Sequence, residues 1–243
     1  INFTVNSGAY LQMAADGTTV TGGGTFTLSS GATLGIKSPQ GITTAACGTG
    51  GTCGNIRTTA RTFNAGANYV YNGTASQNTG DGYPTALTGS LTIDNSAGVT
   101  IVAAARTITS GTLNLTQGVF ATNNGGDRLS MGSNGTINRS GGSITGTLQG
   151  SNTYDVNYTG NSKTAGPELN NDGLRNVTVN LTSGQTLTLD ANRTPDGDLT
   201  ISSGTFDLST FTINRSASGG TLTVDGTLRL GSNTGGQTGS NFP

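Results

Sequence analysis

The sequence predicts an all-β fold: a parallel β-helix (β-solenoid) with about three short strands per coil and roughly 10–12 coils. Three observations lead to this prediction. The composition almost lacks helix-favouring residues, short apolar–polar–apolar triplets recur along the chain, and one stretch returns 86 residues later.

The composition favours strands and turns. Of 243 residues, 41 are glycine and 9% are charged, and the chain has one glutamate (Glu168) and two lysines (Lys37 and Lys163). Polarity comes instead from Gly, Thr, Ser and Asn, which form turns and strands. The 31% of hydrophobic residues is few for a globular core of this length. It suffices for a solenoid, because each coil buries only a few side chains along the axis.

The triplets define which side chains point inward. Leu91 and Ile93 flank Thr92, and Leu113 and Leu115 flank a polar Asn in the same way. Since successive strand residues point to opposite faces, both apolar members of a triplet lie on one face. We therefore expect Leu, Ile, Val and Phe to stack inside the rod, with Thr, Asn and Ser in ladders outside.

The spacing of the triplets selects the solenoid. Apolar centres recur about every seven to eight residues, too closely for the strands of an ordinary sandwich. Leu91 to Leu113 is 22 residues and Leu113 to Ile137 is 24, and each interval is interpreted as one coil. At ~4.8 Å per coil, the predicted rod is roughly 50 Å long.

The internal repeat suggests how the rod is divided. Residues 90–120 align without a gap on residues 176–206, with Thr92 on Thr178. A strand containing tyrosine and a loop containing proline precede each copy. These features predict a partial β-helix unit at 1–66, β-helix repeat units at 67–152 and 153–231, and a flexible tail or connection to a next unit at 232–243. Within the first unit, residues 39–59 are predicted to form a protruding loop.

The loop carries both cysteines, Cys47 and Cys53, in a glycine-rich segment. Five intervening residues allow a disulfide, which would place the protein outside the cytosol. Reduced thiols and a metal site are the alternatives, although two thiolates without any histidine make a poor zinc site.

Several classes of partner are disfavoured. The net charge is −1 and no basic cluster is present, which argues against nucleic acid. No apolar run approaches the ~20 residues of a membrane-spanning helix. The predicted rod has no capping element at either end, so we expect other copies or adjacent repeats to stack end to end.

Three stretches carry a family resemblance: residues 25–42 (TFTLSSGATLGIKSPQGI), residues 61–84 (RTFNAGANYVYNGTASQNTGDGYP) and residues 91–101 (LTIDNSAGVTI). In texture and motif order, the chain resembles the repeats of large secreted β-helical, adhesin-like proteins of Bacteroidota, which are type IX secretion substrates. The resemblance covers most of the chain. It implies an extracellular or cell-surface location and an adhesive or scaffold role. The given sequence shows no recognisable C-terminal sorting domain.

The candidates for chemistry are few. Without histidine, triads that need an imidazole are excluded. Paired carboxylates could come from Asp190, Asp196 and Asp198, and the last two could bind Ca²⁺, but Asp beside Gly or Pro is also a common turn residue. The sequence predicts no catalytic residue and no resident cofactor, with calcium at Asp196 and Asp198 as the one open possibility.

Tyrosines offer a candidate ligand site. Tyr69, Tyr71 and Tyr158 could stack on sugars or partners, or could be core residues, because strand alternation places Tyr69 and Tyr71 on one face. Rows of outward threonine are also a feature of ice-binding solenoids, although the triplets distribute threonine over several faces. We therefore expect a non-enzymatic structural or adhesive β-solenoid, a segment or subunit of a surface adhesin or fibre. The alternative is a β-helix protein that binds or cleaves carbohydrate.

Overall fold

The computed structural model of the chain describes residues 1–44, 53–122, 128–150, 153–169, 173–215 and 219–231. It confirms the predicted fold class: parallel strands stack as a β-solenoid of about nine turns. Within the described residues there is no α-helix, and one 3₁₀ turn, η1 (Pro167–Leu169), lies among the strands.

The strands are short and numerous. In chain order they are β1 (Phe3–Val5), β2 (Tyr10–Gln12), β3 (Val20–Leu28), β4 (Thr33–Ile36), β5 (Ile56–Phe63), β6 (Asn68–Tyr71), β7 (Gln77–Asn78), β8 (Ala86–Leu87), β9 (Ser90–Asp94), β10 (Val99–Thr100), β11 (Arg106–Ile108), β12 (Thr112–Gln117), β13 (Val119–Thr122), β14 (Leu129–Met131), β15 (Thr136–Arg139), β16 (Ser143–Gly146), β17 (Leu148–Gly150), β18 (Tyr154–Gly160), β19 (Lys163–Thr164), β20 (Leu174–Leu181), β21 (Thr186–Thr188), β22 (Leu199–Ser203), β23 (Thr205–Asp207), β24 (Leu222–Val224) and β25 (Thr227–Arg229).

One sheet runs the whole length of the solenoid. This long sheet has ten parallel strands in the order β2-β4-β6-β9-β12-β15-β18-β20-β22-β24. The other faces are formed by shorter sheets: β1-β3-β5, β7-β10-β13-β16, β8-β11-β14-β17 and β19-β21-β23-β25. Ten strands in one sheet leave nine steps between them, slightly fewer than the 10–12 coils expected. At ~4.8 Å per step the long sheet spans about 43 Å.

The core consists of side-chain stacks behind the long sheet. Leu91, Leu113 and Ile137 occupy consecutive turns in direct register and are each 0% exposed. The intervals of 22 and 24 residues between them are therefore single turns, as predicted. Dispersion contacts along the axis replace the thick core of a globular domain, since each turn packs on its two neighbours.

The 86-residue repeat corresponds to four turns of the solenoid. Register pairs lead from Leu91 through Leu113, Ile137 and Val156 to Val177, which is 86 residues further along the chain. Glycines that align in the repeat share a conformation. Gly118 and Gly204 have φ angles of 74° and 79°, a region that favours glycine, at the same corner of the coil.

The side sheets form three groups. Their strands lie within residues 3–63, 77–150 and 163–229, so that each group falls inside one of the three predicted units. Only the long sheet continues from group to group. The boundaries at 67 and 153 themselves stay predictions.

The predicted loop at 39–59 needs one correction. Its last part, from Ile56, belongs to strand β5, which pairs in parallel with β3. The alternating buried and exposed positions at the start of β5 explain this result, because Ile56 and Thr58 are inward while Arg57 is exposed. Cys53 is buried, at 6% exposure, while Cys47 lies outside the described residues, so the disulfide between them stays a prediction.

Candidate binding surface on the long sheet

The outer face of the long sheet carries rows of threonine and asparagine. One row, defined by strand register, contains Gln12, Gly35, Val70, Thr92, Asn114, Asn138, Asn157, Thr178, Thr200 and Thr223. Sequence analysis anticipated outward ladders but spread threonine over several faces. The structure places polar side chains from successive turns on this face, while threonine also lies on the side sheets, as at Thr107 and Thr188.

Three asparagines at the centre of the row form a hydrogen-bonded Asn ladder: Asn114, Asn138 and Asn157. The Asn138 Nδ2 donates to Asn114 Oδ1 at 3.1 Å, and the Asn157 Nδ2 donates to Asn138 Oδ1 at 3.0 Å. Asn114 in turn donates to Thr92 Oγ1 at 3.2 Å. Because every bond runs in the same direction, each ladder amide is held in a fixed orientation with its second N–H left over.

Beside the ladder lies a groove of about 530 Å³. We name it the amide groove; its lining comprises Asn138, Asn157, Tyr158, Thr159, Thr178 and Asn180. Thr159 and Asn180 are exposed, whereas the Tyr158 ring is buried beneath the strand. The accessible lining is therefore made of amides and hydroxyls without an ionisable group.

An ion pair borders the groove. Arg175 binds Asp155 through both ends of its guanidinium, with Nε–Oδ1 and Nη2–Oδ2 distances of 2.8 and 2.7 Å. Burial alone would raise the pKa of the Asp155 carboxyl, but hydrogen bonds from Arg175 and from the Asn176 N–H outweigh it and lower that pKa. The carboxylate thus stays charged and ties two adjacent turns together.

The tyrosines predicted as a ligand platform are inside the solenoid. Tyr69, Tyr71 and Tyr158 are all 0% exposed. Their hydroxyls donate to Asn64 O at 2.7 Å, to Thr79 O at 2.7 Å and to Glu168 Oε1 at 2.8 Å respectively. The platform interpretation is corrected accordingly: these rings offer no face to a sugar, because strand alternation turns them into the core.

Asp196 and Asp198 lie in a loop before β22, and each forms a hydrogen bond to a neighbouring turn of the solenoid. The Asp198 Oδ1 accepts the Thr221 N–H at 2.7 Å, and the Asp196 N–H donates to Leu174 O at 2.8 Å. Across the described ranges, no group of three or more His, Cys, Asp or Glu side chains is placed to hold a metal ion. Calcium at these two residues stays a prediction.

Sequence reasoning missed a buried ionic cluster. Glu168, 0% exposed on η1, forms an ion pair with Arg139 and accepts the Tyr158 hydroxyl. Arg139 takes an inward position of the long sheet, in register with Leu115 and Tyr158. Its Nε donates to Gly142 O at 2.6 Å and its Nη1 to Thr164 O at 2.8 Å. The only signal was that the single glutamate of the chain follows a proline.

A small cavity of about 190 Å³ lies next to this cluster, lined by Gly146, Thr147, Leu148, Pro167 and Arg193. Arg193 donates to Gly166 O at 3.2 Å and to Asp190 Oδ1 at 2.5 Å. Of the candidate acids, Asp190 is bound by Arg193, and Asp198 accepts a backbone N–H of a neighbouring turn.

In the part of the chain that the structure describes, no helix has the length and apolarity needed to cross a membrane. Comparison with protein-family models, curated proteins and solved structures finds no match to this chain.

Proposed function

We propose that the chain is a non-enzymatic, extracellular β-solenoid rod, a segment or subunit of a cell-surface adhesin or fibre that extends by stacking of copies or adjacent repeats. One observation carries this proposal. Among the described residues, nothing covers the first or last turn, so the long sheet ends in an open parallel edge on both sides.

The two ends are suited to axial contact. At the first turn, Phe3 is 41% exposed although it lies in register with the buried Phe26, and at the last turn, Val224 is 42% exposed. Val224 occupies the same inward row as Ile201, which is 0% exposed one turn earlier. A further turn stacked on β24 would bury Val224 and pair the free strand edge, which is the usual way in which solenoid repeats gain stability.

The acidic side chains support a structural role. Asp155 with Arg175 and Asp207 with Arg229 join residues 20 and 22 positions apart, one turn of the solenoid. Glu168 binds Arg139 in the core. In each case the carboxylate holds an arginine of another turn instead of facing a second carboxylate across a cleft, as glycoside hydrolysis would need.

The extracellular location rests on the resemblance to secreted Bacteroidota repeat proteins and on the predicted disulfide. The test is to alkylate the secreted protein with and without prior reduction and to measure its intact mass. If Cys47 and Cys53 form a disulfide, the mass increases by two alkyl groups only in the reduced sample. Alkylation of both cysteines without reduction would remove this support.

Assembly of the purified chain tests the rod. We expect sedimentation velocity at rising concentration to show association, and electron microscopy to show rods lengthened in steps of roughly 48 Å, because each added copy contributes ten strands at ~4.8 Å. Val224→Lys should abolish association by placing a charge in the stacking surface. Val119→Lys is the matched control, since Val119 is 39% exposed on a side strand. Compact, isolated monomers at every concentration, together with no fibre in the native material, would count against the proposal.

A further inference from the structure

We propose that the amide groove binds a neutral polysaccharide chain through the side chains of Asn138, Asn157 and Asn180. This inference rests on the proposed adhesive role and gives that role a ligand class and a site. It places the contact on the outer face of the long sheet, away from the buried tyrosines.

The groove presents several unused hydrogen-bonding groups close together. The Asn157 amide gives one N–H to Asn138, which leaves its second N–H and its Oδ1 without a partner among the described residues. Among the residues that the structure describes, the side chains of Asn180 and Thr178 also form no hydrogen bond. An amide next to a hydroxyl offers a donor and an acceptor side by side, which matches the neighbouring hydroxyls of a sugar ring.

The site is held in place before a ligand arrives. Ladder bonds at 3.1 and 3.0 Å fix two of the groove amides. Buried Tyr158 and Val156 anchor the same strand from inside. Because ordering side chains costs binding free energy, amides that are already ordered bind more tightly than free ones. The groove crosses β15, β18 and β20, about 10 Å, which accommodates a short stretch of an extended chain.

The chemistry of the lining selects against other ligands. No ionisable side chain is exposed in the lining, and Asp155 neutralises Arg175 beside it. The nearby Lys163 ammonium already donates to the Thr159 and Asn161 carbonyls, so the groove favours a neutral ligand over an acidic polymer or a nucleic acid. Ice needs a flat, regular and uncharged array. Here the surface is concave, and the Asp155–Arg175 pair and Asp198 interrupt the polar rows.

Binding to defined polymers tests the inference. The probes are soluble neutral glucan, mannan and galactan, with a polyuronate as the acidic comparator, titrated into the full chain by affinity electrophoresis and calorimetry. We expect at least one neutral polymer to bind and the polyuronate not to bind. Asn157→Ala should weaken that binding roughly five- to tenfold, as loss of one or two hydrogen bonds predicts.

Thr92→Ala is the matched control. Thr92 is half-buried in the same polar row, lies outside the groove lining and accepts a hydrogen bond from Asn114, so it holds no groove amide directly. Its variant should bind within about twofold of the parent, because neither a ligand contact nor a bond to a groove amide is lost. Repeating the titration with Val224→Lys separates binding from rod assembly. Glycan binding retained by that variant supports the groove even if copies do not stack.

Four results would overturn the inference. These are no binding of any neutral polymer, preference for the polyuronate, an equal loss for Thr92→Ala and Asn157→Ala, or thermal hysteresis of ice growth in the absence of polymer binding. None of them bears on stacking at Val224, so the proposed rod is judged by its own experiment.

Discussion

The buried pair between Glu168 and Arg139 allows a quantitative test of the solenoid interior. Glu168→Gln keeps the shape of the side chain and an acceptor for the Tyr158 hydroxyl, but removes the negative charge. The side chain of Arg139 is only 9% exposed and that of Glu168 is 0% exposed, so the remaining guanidinium charge would stay buried without a counter-charge. Breaking such a pair from one side costs about 3–5 kcal/mol.

The second half of the cycle is Arg139→Met, alone and combined with Glu168→Gln. Alone, Arg139→Met strands the carboxylate and the carbonyls of Gly142 and Thr164, and we expect a loss of about 3–5 kcal/mol again. The double variant has no buried charge left. Its loss should fall short of the sum of the single losses by about 2–3 kcal/mol.

The exposed pair between Asp207 and Arg229 is the control. The side chain of Arg229 is 59% exposed, and solvent-exposed pairs couple by about 1 kcal/mol or less. Urea unfolding followed by circular dichroism measures the free energies. Hydrogen exchange in β15, β18 and β20 shows whether the loss is local, as expected when each turn contacts only its neighbours. Equal coupling in the buried and exposed cycles would refute the reasoning.

The inward packing, the Asp155–Arg175 pair and the tyrosine core each allow a test. Leu113→Asp should cost several kcal/mol by urea unfolding because it buries a carboxylate, whereas Thr92→Asp on the outer face should cost about 1 kcal/mol or less; equal losses would contradict the assignment of inner and outer faces. Asp155→Asn should reduce the amount of stability that the protein loses as the pH falls below about 4. Because the pKa of Asp155 is lowered in the folded state, its contribution to stability is present above the unfolded-state pKa and disappears as the pH falls through the folded-state pKa. A variant with the same acid unfolding profile as the parent would count against this prediction. Burial raises the pKa of four core tyrosines, Tyr69, Tyr71, Tyr83 and Tyr158, so their hydroxyls should ionise only as the fold is lost above about pH 10. Ultraviolet titration of the folded protein should therefore detect Tyr10, which is 56% exposed, as the accessible phenol, and ionisation of several phenols before unfolding would argue against a buried tyrosine core.

The inward and outward pattern of the solenoid could be predicted because it depends on local rules. A triplet such as Leu113-Asn114-Leu115 places its apolar members on one face whatever lies next to it. Counting from one triplet to the equivalent one then gives the turn length, which the register of Leu91, Leu113 and Ile137 confirms. The 35-residue turn from Leu34 to Tyr69 could not be found by this count, because 19 residues separate β4 from β5, whereas 7 separate β2 from β3.

The amide groove and the buried cluster could not be predicted, because both depend on which turns become neighbours. Asn138 and Asn157 are 19 residues apart in sequence and nothing in their local context marks them as partners. Glu168 was one polar residue in a loop, and its burial depends on the position of Arg139 one turn earlier. For Tyr69 and Tyr71, the alternation of strand residues already indicated a core position, which their 0% exposure confirms. The ligand platform was suggested only by the general ability of exposed aromatic rings to stack on sugars.

The buried Glu168–Arg139 pair lies where the long sheet alone continues. The strands of one side group end at Gly150, those of the next begin at Lys163, and Glu168 fills the core just after this break. Leu115, Arg139 and Tyr158 occupy successive positions of one inward row, so a slip of the Glu168 loop by one turn would set its carboxylate against a leucine or a phenol ring. An unpaired buried carboxylate costs several kcal/mol, whereas a slip between two aliphatic turns costs little. The ion pair therefore discriminates between registers at the point where backbone pairing is weakest, and replacing both partners by apolar residues would remove that discrimination.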